Sequence, residues 1–160
     1  MDHLKRVAGE FARQATNFDR WAAKADDPGR FGAALGEVRR GRLLDVACGP
    51  GVVTAALAPE ASSVTGFDAT EAMLEKAKAR CAGAGLSNVA FRSGDAENLP
   101  FEDAEFDGVV TRLAIHHFAA PQRALAESSR TAGIGLSVKN DRVVFFHRWR
   151  LLKAMKPPTQ

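Results

Sequence analysis

Short apolar segments alternate with amphipathic helical segments along the middle of the chain, and this alternation constrains the fold most. Segments with the length and composition of strands cover residues 42–47, 63–68, 88–93 and 106–111. Helical segments cover residues 52–58, 71–81 and 121–130. Strands and helices that alternate at this spacing predict an α/β fold in which a parallel sheet carries helices on both faces.

In such sheets ligands bind beyond the carboxyl ends of the strands, so the residues there are candidates for chemistry. The first predicted strand contains Asp45, and a turn with two glycines, Gly49 and Gly51, follows it. Glycines let backbone amides approach a ligand closely, and the helix that begins near Val52 directs its positive end to the same place. The turn therefore suits an anionic group, although a plain strand–helix turn has the same sequence.

Asp68 ends the second predicted strand and lies seventeen residues after Gly51. An acidic residue near this spacing commonly accepts hydrogen bonds from both ribose hydroxyls of an adenosine-containing ligand. The alternative is an acid that stabilises the N-terminus of the next helix beside Thr70. The combination of Asp68 with the glycine turn favours the ribose role.

Asp95 follows the third predicted strand, where its carboxylate can accept a hydrogen bond from the exocyclic amine of adenine. Met73 and Leu99 can lie against the two faces of the adenine ring. Core packing explains both of these side chains, and Phe101, equally well. Both interpretations stay open from the sequence.

A nicotinamide dinucleotide is the first ligand that a glycine turn and a following acid suggest. The dinucleotide fingerprint has a third small residue, but Thr54 stands at that position. Pro50 between the two glycines also leaves no obvious room for a pyrophosphate. The sequence therefore argues against this cofactor.

Three segments, LLDVACGPG, VTGFDATEAMLEKA and FRSGDAENLPFEDAEFDGVVTRLAIHHF, together resemble the class I S-adenosylmethionine-dependent methyltransferases. The resemblance covers residues 11–130 and is strongest to the small-molecule enzymes of ubiquinone and menaquinone biosynthesis. It implies a Rossmann-like domain, S-adenosylmethionine as cofactor, and direct displacement of the methyl group by a small-molecule acceptor. The cofactor-binding residues that it implies are Asp45, Ala47, Gly49, Gly51, Asp68, Ala69, Met73, Asp95, Ala96 and Leu113. Ala47 departs from the glycine that many members of the family have.

His116 and His117 follow the fourth predicted strand, where members of the family line the cofactor and acceptor sites. A neutral histidine there can take a proton from a hydroxyl group or an acidic carbon, so both are candidate catalytic bases. The alternative is that one histidine caps the next helix and the other lies on the surface. Arg112 can bind an acidic acceptor or pair with a neighbouring acid. Cys48 has no partner base in the sequence and is interpreted as a packing residue.

The chain divides into an N-terminal helical segment, residues 1–40, a cofactor-binding domain, residues 41–130, and an atypical basic tail, residues 131–160. Apolar residues recur at helical steps in the first segment, as at Leu4 and Val7. The resemblance implies that this segment folds over the cofactor as a lid and that three aromatic side chains seal the site. Packing against the edge of the sheet is the alternative for these residues, Phe11, Phe18 and Trp21.

The resemblance fails after the helix that follows the fourth strand. Residues 130–160 contain seven Lys and Arg but only one acid, Asp141, and the turn and fifth strand expected of the family are absent. A frameshift or a truncated gene would produce this change, leaving the C-terminal strands of the sheet incomplete. Residues 143–146 are then expected to supply one edge strand, and an exposed edge favours a homodimer. A cofactor-binding remnant without catalysis, or a form active only as a dimer, is the alternative function.

Several other classes of protein are excluded by local features of the sequence. Two cysteines, Cys48 and Cys81, are too few for a disulfide framework or a zinc site, so no metal is expected. The apolar run over residues 52–58 stops at Pro59, which is too short for a membrane span. The charged N-terminus does not fit a signal peptide, which predicts a cytoplasmic protein. Residues 111–114 lack the motif of nucleic-acid base methylases, and the basic tail contains no nucleic-acid module, so no nucleic-acid partner is expected.

Overall fold

A parallel sheet of four strands forms the centre of the computed structural model, which describes residues 3–24, 29–133, 135–139, 142–147 and 150–152. Side chains are described for residues 3–13 and 31–133. The strands pair in the order β3-β2-β1-β4, and all three pairings are parallel. Their bounds are β1 Arg42–Val46, β2 Ser63–Asp68, β3 Val89–Ser93 and β4 Gly108–Thr111.

Five helices are described, together with the 3-10 turns Gly36–Arg40 and Ile115–His117. The helices are α1 His3–Lys24, α2 Gly29–Leu35, α3 Val52–Leu57, α4 Glu71–Gly83 and α5 Pro121–Thr131. From β1 to α5 every predicted element is present, with its ends within two residues of the predicted ones. The sequence of residues 25–29 also predicts a turn, and residues 25–28 lie outside the described ones.

Helices pack on both faces of the sheet, as the alternation of strands and helices predicts. Successive side chains of a strand point to opposite faces, so Leu43 and Leu44 belong to different clusters. Leu44 packs with Phe67 and with Ala124 of α5, whereas Leu43 packs with Val53 and other residues of and around α3. The expectation of an α/β Rossmann-like sheet with helices on both faces is therefore confirmed.

The C-terminal strands differ from the expected single edge strand. Residues 143–146 lie in a strand, but this strand belongs to a separate antiparallel sheet with the order β5-β6-β7. The three strands are β5 Gly135–Lys139, β6 Arg142–His147 and β7 Arg150–Leu152. Two residues separate β5 from β6, which suits an antiparallel hairpin, whereas a parallel pairing needs a crossover of a dozen residues or more. The expectation that this segment extends the parallel sheet is therefore wrong.

Within the described residues, β3 and β4 are the outer strands of the parallel sheet. Pairing of two copies through such an edge stays a prediction. None of the described helices combines the length and the apolar character that a membrane crossing requires.

Candidate functional site

A cavity of about 160 Å³ lies at the carboxyl ends of the parallel strands. Its walls come from the ends of β1 and β2, the loops after β3 and β4, and the first three turns of α1. Ten of the residues predicted to bind the cofactor or act as base line it: Asp45, Ala47, Gly49, Asp68, Ala69, Met73, Asp95, Ala96, Leu113 and His117. Gly51 and His116 are not among its lining residues.

Asp68 is held by the backbone on both sides of its carboxylate. The amide of Gly49 donates to Oδ2 at 2.8 Å, and the amide of Thr70 donates to Oδ1 at 2.9 Å. Burial raises the pKa of Asp68, and these two amides act against the increase. Thr70 stands at the N-cap of α4, but its side chain makes no cap hydrogen bond. The Thr70 side chain and the amide of Ala69 also stabilise the charged form of Asp68.

Asp45 lies deeper, with 1% of its surface exposed. Its Oδ2 accepts a hydrogen bond of 2.7 Å from the Thr54 hydroxyl. Burial raises the pKa of Asp45 to about 7, while the bond from Thr54 and the charge of Arg112 lower it. Asp45 therefore changes its charge near neutral pH.

The turn after β1 uses left-handed backbone conformations at three positions, with φ values of 56° at Ala47, 52° at Gly49 and 75° at Gly51. An alanine in this region is strained, which explains why glycine is common at the position of Ala47 in the family that the sequence resembles. Gly51 has a packing role, and its predicted contact with the cofactor stays a prediction. A Cβ atom at this position would lie 2.7 Å from the Cβ of Ala77, so Gly51 allows α3 to pack closely on α4.

The loop after β3 is ordered by its own acids. Asp95 Oδ1 accepts from the amide of Glu97 at 2.9 Å, and Glu97 Oε1 accepts from the amide of Ala120, just before α5, at 2.8 Å. Met73 lines the cavity although it is almost fully buried. Leu99 lies in the core cluster and not among the lining residues, which supports the core interpretation.

The loop after β4 places one of the two candidate histidines at the cavity. His117 lines it, and the ring centroid of His116 lies 3.9 Å from that of His117. Burial lowers the pKa of His117, and the charge of His116 adds to this effect. Arg112 also lines the cavity. Burial raises the pKa of the Cys48 thiol well above its ordinary value, which fits a packing residue and not a nucleophile.

The first turns of α1 form one wall of the cavity. His3 donates a hydrogen bond of 2.9 Å from Nε2 to the carbonyl oxygen of His117, and Phe11 packs edge-on against the ring of His117. The other lining residues of α1 are Leu4, Val7 and Ala8. The side chains of Phe18 and Trp21, predicted to help seal the site, lie outside the described ones.

The arrangement as a whole matches a known family. The family model described as methyltransferase domain matches residues 43–133, more than half of the chain. This chain belongs to that methyltransferase domain family. The match includes β1 to β4 and ends just after α5, so it covers the strand ends that carry the acids of the cavity.

Three relatives illustrate the similarity. The protein named uncharacterized methyltransferase YcgJ from Bacillus subtilis is 39% identical over 89 residues, which cover 56% of this chain and 35% of YcgJ. The demethylmenaquinone methyltransferase of Clavibacter sepedonicus is 37% identical over 97 residues, covering 61% of this chain and 39% of that protein. A crystal structure of a putative S-adenosyl-L-methionine-dependent methyltransferase from Methanococcus maripaludis has a TM-score of 0.64 at 26% identity, covering 75% of this chain and 58% of the other. The chain thus spans less than half the length of the two curated relatives.

Sequence reasoning about this methyltransferase domain missed two residues of the site. Glu97 lines the cavity and holds the start of α5, and a carboxylate two residues after Asp95 was a visible signal for it. His3 contacts a residue 114 positions away, and no local pattern in the sequence indicates that contact. Among the residues that the structure describes, no group of three or more His, Cys, Asp or Glu side chains is arranged to hold a metal ion.

Proposed function

We propose that this chain binds S-adenosylmethionine in the cavity and transfers its methyl group to a small-molecule acceptor. The observation that carries the proposal is the meeting of three carboxylates, those of Asp45, Asp68 and Asp95, at one cavity beside the glycine turn. Acids at the ends of neighbouring parallel strands suit a ligand that combines ribose, an adenine amine and positive charge.

The charge of the cavity argues against a dinucleotide. Four acids line it, the three carboxylates already named and Glu97, against one arginine, Arg112. An anionic pyrophosphate would be repelled by this set, whereas a sulfonium and an ammonium group would be attracted. The charge thus supports the same ligand class as the family to which the chain belongs.

Each part of the site has a proposed role in holding the cofactor. Asp68 accepts hydrogen bonds from the ribose hydroxyls, and Asp95 accepts from the adenine amine, since both carboxylates line the cavity. The methionine part is assigned to the region of Asp45 and Gly49. The apolar lining of Ala69, Met73, Ala96 and Leu113 contacts the adenosine and excludes water.

The cofactor supplies an activated methyl group on a sulfonium. With the cofactor held by Asp68, Asp95 and the turn at Gly49, an acceptor in line with this methyl group would take it by direct displacement from the sulfur. His117 takes the proton that the acceptor loses, because it lines the cavity and its lowered pKa keeps the imidazole neutral at pH 7. His116 is outside the lining and is assigned no proton transfer.

A small acceptor is supported by two observations. The Clavibacter relative is named for demethylmenaquinone, a small molecule. In this chain Leu4, Val7, Ala8 and Phe11 of α1 form an apolar wall of the cavity, which suits a small acceptor with an apolar part.

The proposal is tested by titrating the chain with S-adenosylmethionine in a calorimeter. Asp68→Asn removes the charge that holds the ribose and is expected to weaken binding roughly tenfold to hundredfold. Asp103→Asn is the matched control, because it makes the same change on an exposed loop outside the cavity. Equal affinities in all three proteins would contradict the proposed site.

An acceptor screen with a labelled methyl group then separates catalysis from binding alone. Turnover that is lost together with binding in Asp68→Asn supports a methyltransferase. Tight binding without turnover of any acceptor would favour the cofactor-binding protein that the sequence left as the alternative. Analytical sedimentation of the same samples shows whether turnover requires a dimer.

A further inference from the structure

One side chain of α1 reaches the main chain of the loop after β4. His3 Nε2 donates to the carbonyl oxygen of His117 at 2.9 Å. That carbonyl belongs to the last residue of the 3-10 turn Ile115–His117, where carbonyl groups lack partners within the turn. His3 therefore supplies a partner that the turn itself cannot.

The same helix also touches the imidazole ring of His117. Two turns along α1 from His3, the ring of Phe11 packs edge-on against the ring of His117, with centroids 4.8 Å apart and planes at 90°. One helix thus holds both the backbone and the side chain of the proposed base.

The partners of His3 define its tautomer. Arg6 donates to His3 Nδ1 at 3.2 Å, so Nδ1 is an acceptor and the proton of the neutral ring lies on Nε2. This is the tautomer that the carbonyl of His117 requires. Arg6, one turn along α1, therefore orients His3 for its long-range contact.

The loop that these contacts hold combines a strained backbone with two exposed apolar side chains. Leu113 adopts a left-handed conformation with φ of 56°, which is strained for a leucine. Leu113 and Ile115 are 44% and 43% exposed, although both are large apolar residues, and only Ala114 between them is buried. A strained and exposed loop keeps one arrangement only when contacts from outside impose it.

We propose that His3 and Phe11 are positioning residues, which fix the backbone and the ring of His117. Because both belong to α1, the helix aligns the base whenever it covers the cavity. The alignment of a base rests on the proposed function, whereas the contacts themselves exist in the chain without ligand. In the closed state, α1 both excludes water and presents His117 to the acceptor. In a chain that lacks either contact, α1 opens more often and His117 samples several orientations.

The first test reads the imidazole of His117 by NMR in the chain without ligand. Loss of the His3 bond in His3→Phe is expected to hydrate His117, so that its lowered pKa moves towards the ordinary value. His3→Gln keeps an N–H donor at this position and is expected to restore the wild-type titration. Arg13→Gln is the control on the exposed side of α1, away from the cavity, and should change nothing.

The second test follows the dissociation of S-adenosylmethionine by stopped-flow. His3→Phe and Phe11→Leu are each expected to accelerate dissociation about threefold to tenfold, the effect of one neutral hydrogen bond or one ring contact. With an acceptor, His3→Phe should lower kcat more than it changes KM, since it displaces the base and not the binding groups.

Two results would overturn the proposal. One is a wild-type titration of His117 in both His3→Phe and Phe11→Leu, when circular dichroism shows both variants folded. The other is a failure of His3→Gln to restore what His3→Phe loses. If the wild-type chain binds no S-adenosylmethionine, the proposed function fails, and the NMR titration still decides whether α1 positions His117.

Discussion

The hydroxyl of Thr54 and the carboxylate of Asp45 form a buried hydrogen bond of 2.7 Å beneath the glycine turn. The bond ties the end of β1 to the first turn of α3, with both side chains almost fully buried. Thr54 stands where a dinucleotide fingerprint has a small residue. Thr54, which departs from that fingerprint, thus donates a hydrogen bond to the buried carboxyl group of Asp45.

The raised pKa of Asp45 makes the stability of the chain depend on pH. Between its ordinary value of 3.8 and the folded-state value of about 7, the folded chain keeps a proton that the unfolded chain has released. Stability therefore falls as the pH rises through this window. Relative to Asp45→Asn, wild-type stability should fall by on the order of 4 kcal/mol, measured by urea unfolding from about pH 4 to pH 8.

Asp45→Asn isolates this effect because asparagine keeps an oxygen that can accept the Thr54 hydrogen bond. Asp45→Asn should lose only the part of the pH dependence of stability that Asp45 causes. Asp103→Asn, which changes an acid on an exposed loop, should keep that part. Parallel stability curves for wild type and Asp45→Asn would show that burial does not raise the pKa of Asp45.

Gly51→Ala is expected to disturb the packing of α3 on α4. The new Cβ atom would lie 2.7 Å from the Cβ and 2.9 Å from the Cα of Ala77, and φ of 75° is strained for alanine. Together the two effects should destabilise the chain by about 3 kcal/mol. Gly85→Ala is the matched control, because φ there is 68° but nothing lies within 4 Å of the added atom, so only the backbone cost of about 1 kcal/mol remains.

A double-mutant cycle with Ala77→Gly separates the two effects in Gly51→Ala. If the contact with Ala77 dominates, the double variant should recover part of the lost stability, and the two changes should not be additive. Additive losses would assign the whole effect to the backbone of Gly51.

The strand ends could be predicted because their signals are local. Each strand is a short apolar run, and the acids Asp45, Asp68 and Asp95 lie at or just after its end. Parallel topology alone brings such positions to one edge of the sheet, so the cavity follows from the order of the elements. The packing role of Gly51 could not be predicted because a glycine in a turn has the same sequence signal whether it faces a ligand or another helix.

The contacts of α1 and the pairing of β6 could not be predicted in the same way. The bond between His3 and His117 depends on how α1 crosses the sheet, which no periodicity encodes. The apolar residues of β6 fit an edge strand and a hairpin equally, and the two-residue separation from β5 decides for the hairpin. Leu99 likewise fits a ring contact or a core position until the packing of α5 is known.

Arg130 is expected to hold the loop after β3 against α5. Its guanidinium donates to the carbonyl oxygens of Phe101 and Leu99 and to the carboxylates of Asp103 and Glu127, at 2.8–3.0 Å. Arg130→Gln leaves the two carbonyls without this donor and should destabilise the chain by about 2–3 kcal/mol in urea unfolding. Arg130→Lys keeps the charge but not the planar set of donors, so it should recover less than half of the loss. Full recovery by lysine would mean that charge alone matters.

The role of His117 predicts a specific pH profile for methyl transfer. Burial lowers its pKa below the ordinary value of 6.5, and a base must be neutral to accept a proton. With an acceptor that carries a proton, kcat/KM should therefore rise with pH through a pKa below 6.5 and then stay level. His117→Gln should lower kcat by about 10²- to 10⁴-fold and remove that pKa from the profile. His116→Gln is the matched control outside the cavity lining, and an equal loss of kcat in both variants would contradict the assignment of the base to His117.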